Sequence, residues 1–182
     1  WGPADSPLRI GWRLLRLVDA EGAGSLPDRV EVVAREGCDA APLDPASEQG
    51  RTTLLAYVWP DQRARLERLR GALEVAAAHP LAVEQARAGE WIRRRLAVPS
   101  DGVATVVFHS IFAQYLPASE RSDLVATIEA AGSRATASAP FAWLRLEPAG
   151  KLADLRLTIW PHGEELLLAR AGYHGDLVEL RR

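Results

Sequence analysis

His109, Ser110, Gln114 and Tyr115 fall close together at the polar end of an apolar run, VATVVFHSIFAQYLP, residues 103–117. An imidazole titrates near neutral pH and is the commonest general base, so His109 is the candidate catalytic residue. A hydroxyl, a carboxamide and a phenol offer hydrogen bonds to a substrate, which makes Ser110, Gln114 and Tyr115 candidate binding residues. Each has a plainer reading: a histidine satisfied at a strand end, and a tyrosine packed at a rim. Ser110 lacks the GxSxG setting that exposes a hydrolase nucleophile on a strained turn.

A second candidate lies in VEVVAREGCDAAPLDP, residues 30–45. Val30, Val32 and Val33 predict a strand, and the turn after it presents Asp39 and Asp44. A carboxylate at a strand's carboxyl end can accept hydrogen bonds from two ribose hydroxyls, the role open to Asp39 in a nucleotide-binding sheet; capping the turn is the alternative. Gly22 and Gly24 in DAEGAGS resemble a phosphate loop only weakly, because a third glycine is missing and Pro27 and Asp28 stand where the helix should start. His174 sits between Gly172 and Gly175 and reads as a surface turn. The four histidines and Cys38 are dispersed, without the spacing of metal ligands.

These residues need elements to hold them. Val103 and Thr105 to Phe108 are mostly β-branched or aromatic without polar alternation, which predicts a strand buried on both faces and central to a sheet. Ligands bind at the carboxyl ends of such strands. An alternating segment within residues 8–18 predicts an earlier strand. Asp61 is the expected N-cap of a helix with Leu66, Leu69 and Leu73 on one face, closed by His79 and Pro80. LAVEQA predicts a short strand, AGEWIRRRLA a helix. Ser119 is the expected N-cap of a further helix that buries Leu124, Val125, Ile128 and Ala131 and stops at Gly132. FAWLRLE, ADLRLTIW and ELLLARA then follow without an intervening helix, which predicts antiparallel pairing. The expected fold is α/β: one domain over residues 1–182, a mostly parallel sheet flanked by helices, and a C-terminal antiparallel hairpin.

Composition bounds the function. With 22 basic and 24 acidic residues the net charge is −2, which gives no general attraction to nucleic acid or an anionic membrane. No apolar run reaches the roughly 18 residues of a membrane span. Cys38 is the single cysteine, so an intrachain disulfide is excluded and a cytoplasmic location is expected.

VAREGCDAAPLD, YVWPDQRARLERLRGAL and VATVVFHSIFAQYLP together resemble the carboxyl-terminal half of the bacterial domain of unknown function 2332 family, along nearly the whole chain. Longer members of that family are similar in layout to class I S-adenosylmethionine-dependent methyltransferases. They carry a helical region and a glycine-containing EVGxSAGLNL-like segment that this chain lacks. The resemblance implies a Rossmann-like fold, S-adenosylmethionine as cofactor with Asp39 on its ribose, and residues 109–115 facing a small-molecule substrate. Arg87 or Glu90, in QARAGEW, stands where many such enzymes place an acid near the adenine. It also implies a sheet whose first strand lies upstream, and hence an exposed edge through which the chain self-associates. A non-catalytic α/β interaction or regulatory module is the alternative.

Overall fold

The computed structural model describes residues 3–10, 13–17, 30–174 and 177–180. In chain order the elements are β1 (Arg13–Leu17), β2 (Gly37–Asp39), α1 (Glu48–Ala56), α2 (Arg63–Ala78), β3 (Val83–Gln85), α3 (Ala88–Arg95), β4 (Thr105–Ser110), a 3-10 turn (Ala113–Tyr115), α4 (Ala118–Gly132), β5 (Phe141–Ala149), β6 (Leu152–Trp160), β7 (Glu164–Ala171) and β8 (Leu177–Leu180). The expected segment at 8–18 is a strand only over β1, and the DAEGAGS loop lies outside the described residues. The chain divides into two compact units, one of residues 3–10 and 30–87, the other of residues 13–17, 88–174 and 177–180.

In the first unit β2 and β3 pair in parallel, Asp39 opposite Gln85. The strand expected from Val30 shrinks to three residues: Val30, Val32 and Val33 are exposed and pair with no strand among the described residues. β-propensity reflects packing against neighbours, and without a neighbour it builds nothing. Helix α1 was not foreseen, although its cap is a familiar one: the Ser47 hydroxyl accepts the Gly50 N–H at 3.0 Å. Helix α2 starts two residues after Asp61, with Gln62 at the N-cap and no side-chain cap bond, and buries Leu73.

The second unit is built on a six-stranded sheet in the order β1-β8-β7-β6-β5-β4. Only β4–β5 and β1–β8 are parallel; β5 through β8 form an antiparallel meander. The expected mostly parallel sheet is therefore corrected to a mixed one. Tight turns decide this: Gly150 at φ +80° and Gly163 at φ +71° join β5, β6 and β7 with loops too short for a crossover.

Strand β4 stands at the edge of this sheet, not in its middle. Its burial alternates: Thr105, Val107 and His109 are half-buried, whereas Val106, Phe108 and Ser110 are exposed. The inward face meets a core of Ile92, Leu96, Leu124, Ile128, Phe141, Trp143 and Trp160, contributed by α3 and the residue that follows it, α4, β5 and β6. Ile128 is fully buried at its centre. Helix α4 ends at Gly132 as the sequence predicts, and lies so close to β6 that a Cβ there would come within 2.3 Å of the Trp160 ring. It begins at Ala118 behind Pro117, one residue before the expected cap Ser119. No helix among the described residues is long and apolar enough to cross a membrane.

Candidate functional site

The carboxyl end of β4 is shaped by a carboxylate the sequence reading did not single out. The β4–β5 register sets Val107 beside Trp143 and His109 beside Arg145, so Trp143, Arg145 and Glu147 share a face with His109. Glu147 Oε1 lies 2.7 Å from His109 Nδ1. It also accepts the backbone N–H groups of Phe112 at 3.0 Å and Ala113 at 3.1 Å. On the far side of the ring, the Trp143 indole N–H donates to His109 Nε2 at 3.1 Å.

This network assigns the tautomer. An indole nitrogen can only donate, so Nε2 must be the accepting, unprotonated nitrogen and Nδ1 carries the hydrogen that goes to Glu147. His109 is thus a neutral imidazole with both nitrogens engaged, flanked by Phe112 edge-on at 5.8 Å and by Trp143 at 5.9 Å. Proton abstraction by His109 requires the Trp143 bond to open first.

Between Ser110 and Phe112 the chain bends sharply. Ile111 has φ +48°, a left-handed conformation that is an outlier for a β-branched residue. Its N–H still donates to Leu146 O at 2.8 Å as the last rung of the β4–β5 ladder. The next two N–H groups turn inward together, a concavity suited to an anion, and Glu147 supplies that anion from within the chain. Glu147 Oε2 is buried with no partner.

The other candidates are placed differently. Ser110 follows His109 along the strand, so it points to the opposite, exposed face. Gln114 and Tyr115 lie in the 3-10 turn and are exposed, Tyr115 at 75%. No hydrogen bond among the described residues joins Ser110, Gln114 or Tyr115 to His109. Asp39 belongs to the other unit. Its Oδ1 accepts the Ala41 N–H at 2.8 Å and its carbonyl accepts the Ala86 N–H at 3.0 Å, while Gln85 Nε2 donates to Ala40 O at 3.2 Å. Asp39 is exposed. Asp44 is a turn residue whose Oδ1 accepts the Ala46 N–H at 2.8 Å.

Beyond Trp143 the same sheet face becomes ionic. Arg145 stacks on the Trp143 ring at 4.0 Å, donates to Thr158 Oγ1 at 3.0 Å and pairs with Glu165. Arg156 bridges Glu165 at 2.7 Å and Asp154 at 2.8 Å, and Arg170 adds a bond to Asp154 at 3.2 Å. Burial pushes the Glu165 carboxyl up, but Arg156 and Arg145 outweigh it and hold it below the usual range. Hydrogen bonds from the Arg156 guanidinium to Asp154 and Glu165 raise its pKa. Three guanidinium groups thus share the two carboxylates of Asp154 and Glu165. No group of three metal-ligating side chains occurs among the described residues.

Over residues 1–180 the chain matches the model of a family described as "Uncharacterized protein conserved in bacteria (DUF2332)", and it belongs to that family. No curated protein and no solved structure matches it.

Proposed function

For this member of a conserved bacterial family, we propose a nucleoside-binding role of the methyltransferase type, with Asp39 as the carboxylate that receives the ribose of S-adenosylmethionine. One observation carries the reading: Asp39 and Gln85 stand side by side at the carboxyl ends of two parallel strands. The donor set fits a ribose diol. Ala41 fixes one carboxylate oxygen of the exposed Asp39, whose carboxylate would accept the hydroxyl hydrogens. The cofactor, when bound, supplies an electrophilic methyl group.

The remaining work falls to the chain's own side chains. Positioning an acceptor in line can account for about 7–11 kcal/mol of a transfer barrier without any base. His109, with its basic nitrogen on Trp143, acts as a positioning residue within its own unit: with Glu147 it holds the turn that carries Gln114 and Tyr115. Calorimetric titration of the protein with S-adenosylmethionine tests the reading. Saturable binding that Asp39→Ala weakens about tenfold or more is expected; no binding at millimolar cofactor refutes it.

A second reading, a non-catalytic α/β module, draws support from the internally satisfied state of His109. On that reading no methyl transfer accompanies binding, and His109→Ala changes stability alone.

A further inference from the structure

We propose that the cavity at the carboxyl end of α4 is a ligand site, and that it holds a small zwitterion of the α-amino acid type. The cavity, of about 360 Å3, lies between the end of α4 and the face of β5, β6 and β7, and its size is that of a small-molecule site. Strand register builds its floor. Trp143 stands opposite Thr158, and Thr158 opposite Glu165, in one row across three strands. Arg145 and Trp160, each two residues further along its strand, share that face. Glu129 and Ser133, one turn apart at the end of α4, form the other wall.

The indole of Trp160 points to a ligand. Trp160 is only 9% exposed, yet its N–H has no hydrogen-bond partner among the described residues. Its nitrogen borders Gly163, which also lines the cavity: a Cβ added there would stand 3.6 Å from it. A donor on so buried a side chain is nearly always paired, so this one suits an acceptor that comes from outside the chain.

The charges select the rest of the ligand. The exposed Glu129 carboxylate has no partner among the described residues and can only accept. Glu165 lines the cavity as well, and the last turn of α4 adds the negative end of its dipole. These groups favour a cation and oppose a lone anion. A lone cation, however, leaves the Trp160 N–H unpaired and meets Arg145, which stacks on Trp143 and gives only part of its donor fork to Thr158 and Glu165. A zwitterion answers both demands. Its ammonium goes to Glu129, and its carboxylate to the Trp160 N–H and the remaining donors of Arg145. The cavity belongs to the second unit and Asp39 to the first, so this inference does not rest on nucleoside binding.

Proton–nitrogen spectra of the indole region, recorded while each of the protein α-amino acids is titrated in turn to millimolar concentration, test the proposal. At least one amino acid should shift the Trp160 N–H resonance saturably. Methylamine and acetate, which carry one charge each, should bind about tenfold or more weakly than that amino acid. Glu129→Gln should leave the circular dichroism spectrum unchanged and weaken binding about tenfold or more. Trp160→Phe removes the indole donor and should abolish binding; should that variant fail to fold, Glu129→Gln decides alone. No shift with any amino acid overturns the proposal, as does binding that Glu129→Gln leaves intact. Acetate or glycerol binding as tightly as the amino acid overturns the zwitterion as the occupant.

Discussion

Removing the Glu147 carboxylate should unfasten the end of β4. In Glu147→Ala, three donors lose their common acceptor: His109 Nδ1–H and the amides of Phe112 and Ala113. A buried donor left unpaired costs about 1–3 kcal/mol, but a turn that loosens can hand its amides to water, so the three penalties do not add. We expect a loss of about 3–4 kcal/mol, at the upper end for a single substitution. Glu147→Gln retains an acceptor oxygen without the charge that roughly doubles such bonds, and sets an NH2 group where the buried Oε2 has no partner; about 1–3 kcal/mol is expected. Urea unfolding followed by far-ultraviolet circular dichroism, fitted with a shared slope, measures both. Glu129→Ala, on the exposed face of α4, is the reference and should stay within about 0.5 kcal/mol of the parent. The Ile111 conformation supplies an internal check. Left-handed backbone costs a residue with a Cβ about 1–2 kcal/mol, and Glu147 is what holds it there. Ile111→Gly should therefore couple to Glu147→Ala in a double-mutant cycle by about 1 kcal/mol. A Glu147→Ala loss below about 1 kcal/mol would refute the assignment of the turn to Glu147.

The tautomer of His109 is directly observable: long-range proton–nitrogen spectra should show Nδ1 protonated and Nε2 bare, and Trp143→Phe should shift the Nε2 resonance while costing about 1 kcal/mol. Gly132→Ala should destabilise by about 1–3 kcal/mol in thermal unfolding, since its Cβ would come within 2.3 Å of the Trp160 ring. The Glu165 carboxyl is held below its usual value of 4.5, so its stabilisation is present above that pH and is lost as pH falls through the depressed folded value. Its side chain is 43% exposed, which screens the pair, so Glu165→Gln should lower stability at pH 7 by no more than about 1 kcal/mol. The difference from the parent should fade under acid conditions, and a constant difference from pH 7 to pH 2 would exclude the linkage.

Period and punctuation made much of the second unit legible. The three- and four-residue spacing ending at Gly132 marked α4, and the alternation in FAWLRLE and ADLRLTIW marked β5 and β6; Phe141 and Trp143 share a core with α4, whereas β6 meets that core through Trp160 and sets Leu155 against the separate cluster of Ala169, Ala171 and Val178. Glu147 was missed for a physical reason. Its partners are 34 to 38 residues earlier, and only the β4–β5 register brings them together. The signal available was a core-facing phase, Phe141, Trp143, Arg145, that continues to a carboxylate, since an inward acid needs donors. Helix α1 was missed although Ser47 offers a cap, because its nine residues carry no long apolar stripe.

The misplacement of β4 bears most directly on how this chain works. A run such as TVVFHS reads as a strand covered on both faces, and in the structure one face is covered while Val106 and Phe108 are open. The composition is that of an interior parallel strand, yet the position is an edge. Local propensity and tertiary placement usually agree in a folded sequence, and where they conflict the site is commonly functional. Here the conflict is confined to the free side of β4, since its other side ends in a fully bonded histidine and a carboxylate-held turn. The inner side of the strand is built to be rigid. Its outer side leaves Val106 and Phe108 exposed.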